Sequence, residues 1–96
     1  MPTYIILLNW TEQGMAKIKA GSRRLDEARE AYKKLGCELK DVYLTMGPYD
    51  MLGVLDAPDA ETAARAILSL GAEGNIRTLT LPAFTEDQYR KIIGSL

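Results

Sequence analysis

An α+β fold with the element order β-α-β-β-α-β is predicted by three features of the sequence. Two segments carry apolar residues at helical spacing, Leu25, Ala28, Tyr32 and Leu35 in the first and Ala60, Ala63, Ile67 and Leu70 in the second. Four short runs that are apolar throughout or alternate with period two flank them. The middle two runs are joined only by a turn at Gly47-Pro48, too short for a crossover, so they form an antiparallel hairpin.

The first strand is Thr3 to Asn9, where Tyr4, Ile5, Ile6, Leu7 and Leu8 follow one another without helix punctuation. Thr11 can cap a short helical turn that runs to Lys19, and Gly21 breaks it, which makes residues 10–21 a candidate lid. Ser22 caps the first long helix, and Gly36 closes it in the left-handed conformation. The second strand, Leu39 to Met46, sets Val42, Leu44 and Met46 against Asp41, Tyr43 and Thr45, and the third runs from Tyr49 to Asp56. Asp59 after Pro58 caps the next helix, an alanine-rich stripe suited to close packing, and Gly71 ends it. The fourth strand is Asn75 to Phe84. Thr85 and Gln88 then make a capping box for a last helix carrying Tyr89, Ile92, Ile93 and Leu96.

This order is the split βαβ arrangement called ferredoxin-like: a four-stranded antiparallel sheet with both helices on one face, here followed by a C-terminal helix. Its first strand is central and apolar on both sides, Tyr4, Ile6 and Leu8 facing one way and Ile5 and Leu7 the other. The chain's helices cover one face only. At about 25 cal/mol per Å² of apolar surface, leaving the other face in water forfeits free energy comparable to the stability of a small domain. A second copy packed there, giving a homodimer or higher homo-oligomer, is the expected solution.

Composition narrows the chemistry. Ninety-six residues predict a single domain over 1–96. Twelve Lys and Arg against 13 Asp and Glu give a net charge of −1, so no global field attracts nucleic acid or an anionic membrane surface. The longest apolar run, Tyr4 to Leu8, is too short to cross a bilayer and lacks the basic flank of a signal peptide, so a cytoplasmic location is expected. Cys37 stands alone and histidine is absent. Disulfides within the chain, multi-thiolate metal sites and Ser/His or Cys/His nucleophile pairs are thereby excluded, and no metal or cofactor is expected.

In this topology the exits of strands one and two and the entrances of strands three and four meet at one sheet end. The residues gathered there are Asn9, Trp10 and Thr11, Thr45, Tyr49 and Asp50 about the hairpin, and Asn75, Arg77 and Thr78. Trp10, Thr11, Thr45, Tyr49, Asp50, Asn75 and Arg77 are the candidate ligand-binding residues, with Asp50 and Tyr49 the candidates for any catalytic role. Lys17, Lys19, Arg23 and Arg24, close to a helix start that disfavours cations, hint at an anion site. The competing structural reading gives Asp50 to turn amides, Trp10 to packing, Arg77 to a surface carboxylate and the basic quartet to solvent.

The blocks Asn9-Trp10-Thr11, Thr45-Met46-Gly47-Pro48-Tyr49-Asp50, Ala57-Pro58-Asp59 and Gly74 to Phe84 resemble, in order and spacing, the GYD domain family. The resemblance spans nearly the whole chain, with Pro48 in the variable position of the Gly-x-Tyr-Asp motif. It implies a dimeric α/β barrel, in agreement with the open-face argument, and it assigns no activity and no catalytic residue. The leading functional reading is a homo-oligomeric protein that binds a small aromatic or anionic molecule at the loop end. One alternative is a cofactor-free enzyme, isomerase- or oxygenase-like, with Asp50 as base and Tyr49 or Arg77 stabilising negative charge. The other is a structural assembly module without a ligand.

Overall fold

The computed structural model describes residues 1–96. Strand β1 (Thr3–Trp10) is followed by a short helix α1 (Glu12–Ala16), a 3-10 turn (Ile18–Ala20) and the long helix α2 (Gly21–Lys34). Strands β2 (Glu38–Leu44) and β3 (Met51–Asp56), helix α3 (Ala60–Gly71), strand β4 (Ile76–Ala83) and helix α4 (Glu86–Gly94) complete the chain. The sheet has the order β2-β3-β1-β4 with every pair antiparallel, the ferredoxin-like α+β arrangement.

Register fixes what each face carries, because residues paired across antiparallel strands point the same way. Tyr4, Ile6 and Leu8 stand beside Leu55, Gly53 and Met51 on the helix side. There Tyr4, Ile6, Tyr32, Cys37, Leu55, Ala57, Ala63 and Ala66 form the buried core. The alanines at 63 and 66 let α3 lie close against the strands. On the opposite face Ile5 and Leu7 align with Val54 and Leu52 and with Leu81 and Leu79, and Tyr43 aligns with Leu52. No helix of the chain covers them: Leu79 and Leu81 remain 45% and 42% exposed. No helix is long and apolar enough to cross a membrane.

Several boundaries differ from the sequence reading. Gly21 does not break the chain and Ser22 is no cap: the 3-10 turn feeds straight into α2, whose N-cap is Ala20 without a side-chain bond, and Gly21 is helical at φ −58. Gly36 does take the left-handed conformation, φ 82. Gly71 is the last helical residue of α3, as read from sequence, and the left-handed residue of that loop is Gly74, φ 83. Strand β2 ends at Leu44 and β3 begins at Met51; residues 45–50 form a loop held by the Thr45 amide on the Asp50 carbonyl and by side-chain bonds from Thr45 and Asn9. A bulge at Lys40 lets Leu39 and Val42 both face the helices. The caps at Thr11, Asp59 and Thr85 form as read from sequence, the last with a complete Thr85–Gln88 capping box.

Candidate functional site

The sheet end that gathers the hairpin, the exit of β1 and the entrance of β4 divides into two unlike sides. Trp10 pairs with Ile76 on the helix side, whereas Asn9 pairs with Arg77 on the open side. Arg77 and Trp10 therefore lie on opposite faces of the sheet. Their expected convergence in one pocket is corrected by the period-two alternation of the strands that carry them.

On the helix side a cavity of about 340 Å³ opens between α2 and the sheet end. Leu8, Trp10, Leu25, Ala28, Met51 and Ile76 give it an apolar wall, and Arg24, Glu73 and Asn75 are its charged and amide members. Of the candidates named from sequence, only Trp10 and Asn75 line it; Thr11, Thr45, Tyr49, Asp50 and Arg77 do not.

Most of the remaining polar candidates staple loops together. The Trp10 amide donates to Asp50 Oδ2 at 3.0 Å, while the Asp50 amide donates to the Leu8 carbonyl at 2.9 Å. Thr45 Oγ1 donates to the Tyr49 carbonyl at 2.6 Å and Asn9 Nδ2 to the Pro48 carbonyl at 3.0 Å. Thr11 Oγ1 accepts from the Gly14 amide at 3.1 Å, as a helix cap should, and donates to the Gly74 carbonyl at 2.6 Å. Gln13 Nε2 adds bonds to the Glu73 carbonyl, 3.1 Å, and to Asn75 Oδ1, 2.9 Å. The segment read as a lid is thus fastened to the α3–β4 loop. Tyr49 is half-buried, and Arg77 is exposed.

The basic quartet has a structural use in its last member. Arg24 Nη2 donates to the carbonyls of Gly14, 3.3 Å, and Lys17, 2.9 Å, so the guanidinium caps the C-terminal carbonyls of α1. Arg23 pairs with Glu27 at 3.8 Å in solvent, and Lys17 and Lys19 are exposed. An anion would have to compete with those carbonyls for Arg24.

Burial pushes the Cys37 thiol up, and the charge of Asp59 raises it further. The thiol stays protonated at neutral pH and is a poor nucleophile. Burial likewise carries the Tyr32 phenol to about 12, with Cys37 and Glu73 adding to the effect. No group of three or more histidine, cysteine or acidic side chains is placed to hold a metal ion.

The gathering of these loops at one sheet end is legible in the sequence, whereas the wall of the cavity there is not. Leu25, Ala28, Met51 and Ile76 read only as core positions, since a cavity leaves no mark on hydrophobic periodicity. One signal was available: Leu8, Leu44 and Met51 fall on the helix-facing register at the end beyond the buried core, where α2 begins.

Known proteins share the same outline. The GYD domain model matches residues 4–93. The chain is 37% identical over 84 residues, 86% of its length, to a Thermus thermophilus protein named glutamine synthetase and cystathionine beta-lyase binding protein, of which it covers 88%. Among solved structures, TTHA0845 of Thermus thermophilus is 28% identical with a TM-score of 0.55, the match covering 88% of this chain and 95% of that one. FFRP-DM1, at 19% identity and a TM-score of 0.59, is covered completely by a match over 88% of this chain. MtbAldR superposes with a TM-score of 0.69 at 17% identity, again over 88% of this chain but 54% of its own. These last two share the fold.

Proposed function

We propose, from the premise that this chain belongs to the GYD domain family, that it is a homodimeric binding protein that holds a small, largely apolar molecule in the sheet-end cavity without transforming it. The observation that carries this reading is the cavity: about 340 Å³ behind an apolar wall, a volume within the range of small-molecule sites. The aromatic half of the expectation from sequence fits that wall. The anionic half fits less well, because Arg24 is spent on backbone carbonyls and Arg77 stands on the other face.

Catalysis by Asp50 is disfavoured by placement. A general base must reach a substrate proton, and Asp50 lies outside the cavity with one oxygen on the Trp10 amide. Dimerisation is supported by the open face, where Ile5, Leu7, Leu52, Val54, Leu79 and Leu81 form a continuous apolar surface that a second sheet would cover.

Titration with 1-anilinonaphthalene-8-sulfonate, followed by its fluorescence and by quenching of Trp10, tests the cavity. Ala28→Leu fills the space from the α2 side and is expected to weaken probe binding at least about tenfold while leaving the fold intact, because added methylenes occupy the ligand's volume. Unchanged affinity contradicts the assignment.

The name of the 37% identical relative favours a second reading, in which the dimer docks on an enzyme. Co-sedimentation with glutamine synthetase from the same organism tests it. A complex at micromolar concentration supports docking, and independent sedimentation of the two proteins contradicts it.

A further inference from the structure

Besides the open sheet face, two apolar patches of this chain have nothing over them. The first is the stripe of α4, where Tyr89, Ile92, Ile93 and Leu96 follow at helical spacing and no residue of the helix is buried. The second is the hairpin corner at the end of the edge strand β2, where Tyr43 stands out on the open face, Leu44 on the helix face and Met46 just beyond the strand, Met46 at 98% exposure and Leu44 at 70%. Leu44 also lines the cavity, so this corner is the cavity's outer side.

The α4 helix is built to be ordered. A complete capping box starts it and an Arg90–Glu86 ion pair of 2.8 Å braces it. It nevertheless leaves the body of the protein: the chain measures 49 Å along its longest axis and 31 Å along the next. Its radius of gyration is 14.3 Å. A compact chain of this length has about 12.5 Å.

The two patches cannot meet within one chain. Helix α4 departs from Ala83, opposite Thr3, on one edge strand, while the hairpin corner lies at the Leu8–Met51 end on the other edge strand. They sit at diagonally opposite corners, about 17 Å apart along the strands and about 14 Å across them. Two such sheets stacked face to face at near right angles, one of the two ordinary modes of sheet packing, exchange these corners. A two-fold axis in the sheet plane, perpendicular to that diagonal, sets α4 of each copy over the hairpin of the other.

We infer that α4 is an exchanged arm that crosses the β2 edge of a second copy, its apolar stripe running from Tyr43 on the open face over Met46 to Leu44 on the helix face, and closes that copy's cavity. The inference rests on the homodimer reading above. It makes each binding site a product of two chains, with Leu44 changing from an exposed wall to a contact beneath the partner's helix. Both patches are used twice in one closed dimer, which leaves no sticky end for growth into fibres.

Sedimentation velocity and acrylamide quenching of Trp10, the only tryptophan, test the arm in the full-length chain. Ile93→Glu on the arm and Met46→Glu on the hairpin replace exposed side chains, so both are expected to keep the fold, which circular dichroism checks. Each is expected to weaken the dimer at least about tenfold, as burying a charge against an apolar surface does, and to raise Trp10 quenching. Leu81→Lys on the open face is the control for dimerisation itself. Dissociation by Leu81→Lys with no effect of Ile93→Glu or Met46→Glu overturns the arm and leaves the homodimer standing. Weaker dimers with unchanged Trp10 quenching overturn closure of the cavity. A wild type that is monomeric at every concentration removes both the arm and the dimer.

Discussion

The carboxylate of Asp50 accepts the amide of Trp10 at 3.0 Å while the amide of Asp50 donates to the carbonyl of Leu8, so one residue closes the hairpin onto the end of the central strand from both sides. The Tyr-Asp pair of the motif thus acts here through backbone geometry: Asp50 supplies the bond that β1 lacks where the ladder to β3 stops at Leu8–Met51. Asp50→Ala is expected to lower unfolding free energy by about 1–3 kcal/mol in urea, and Asp50→Asn, which keeps an acceptor oxygen, by less. Equal losses for the two variants would contradict this role.

Gly14 is buried where α1 meets the α3–β4 loop, and a methyl group at its Cα would collide with the carbonyl of Asn75. Since that neighbour is backbone, it cannot swing aside. Gly14→Ala is expected to cost about 1–3 kcal/mol and to lower the melting temperature, although alanine is the better helix former. A stabilised variant would show that the loop yields.

The phenol of Tyr32, raised from 10.0 to about 12 chiefly by burial, ties stability to alkaline pH. The folded state favours the protonated form, so this contribution is complete below pH 10 and is lost as pH rises toward about 12, amounting to about 2–3 kcal/mol. Cys37, raised from 9.0 for the same main reason, adds to the decline from its lower end. Urea unfolding of wild type and Tyr32→Phe at pH 9 and 11 checks the sign, with the slope expected to flatten in the variant. An identical pH dependence in both would contradict it.

Asp59 runs the other way. The Thr62 amide bonded to its carboxylate at 2.7 Å holds it below the usual aspartate range. The cap of α3 is therefore in full strength above the unfolded value and fades as pH falls through the lowered one. Asp59→Ala is expected to lower stability to urea at neutral pH, and the difference from wild type should shrink in acid; a difference that stays constant with pH would contradict it.

The element order, the caps and the two-faced central strand were legible because each rests on local pattern: apolar period, Thr11, Asp59 and Thr85 before helical runs, and Ile5 and Leu7 with no helix left to cover them. The boundary at Ser22 was not. There the chain continues helically through Gly21, a residue that only permits a break, whereas Gly71 is the last residue of α3 as its position suggests and the left-handed glycine of that loop is Gly74. That the hairpin, the exit of β1 and the entrance of β4 gather at one sheet end is legible, but closeness in sequence and topology puts Arg77 and Trp10 in one pocket. Register, which places them on opposite faces, is settled by pairing between strands far apart in the chain.

The apolar open face of the sheet is what the proposed homodimer, and with it the exchanged arm and the cavity it would close, all depend on. Light scattering coupled to size exclusion, at concentrations from micromolar to millimolar, measures its consequence directly. The expected result is a particle of twice the 10.6 kDa chain mass for the wild type and of the single chain mass for Leu81→Lys. A wild type that stays at 10.6 kDa throughout, folded and unaltered by that substitution, would contradict it.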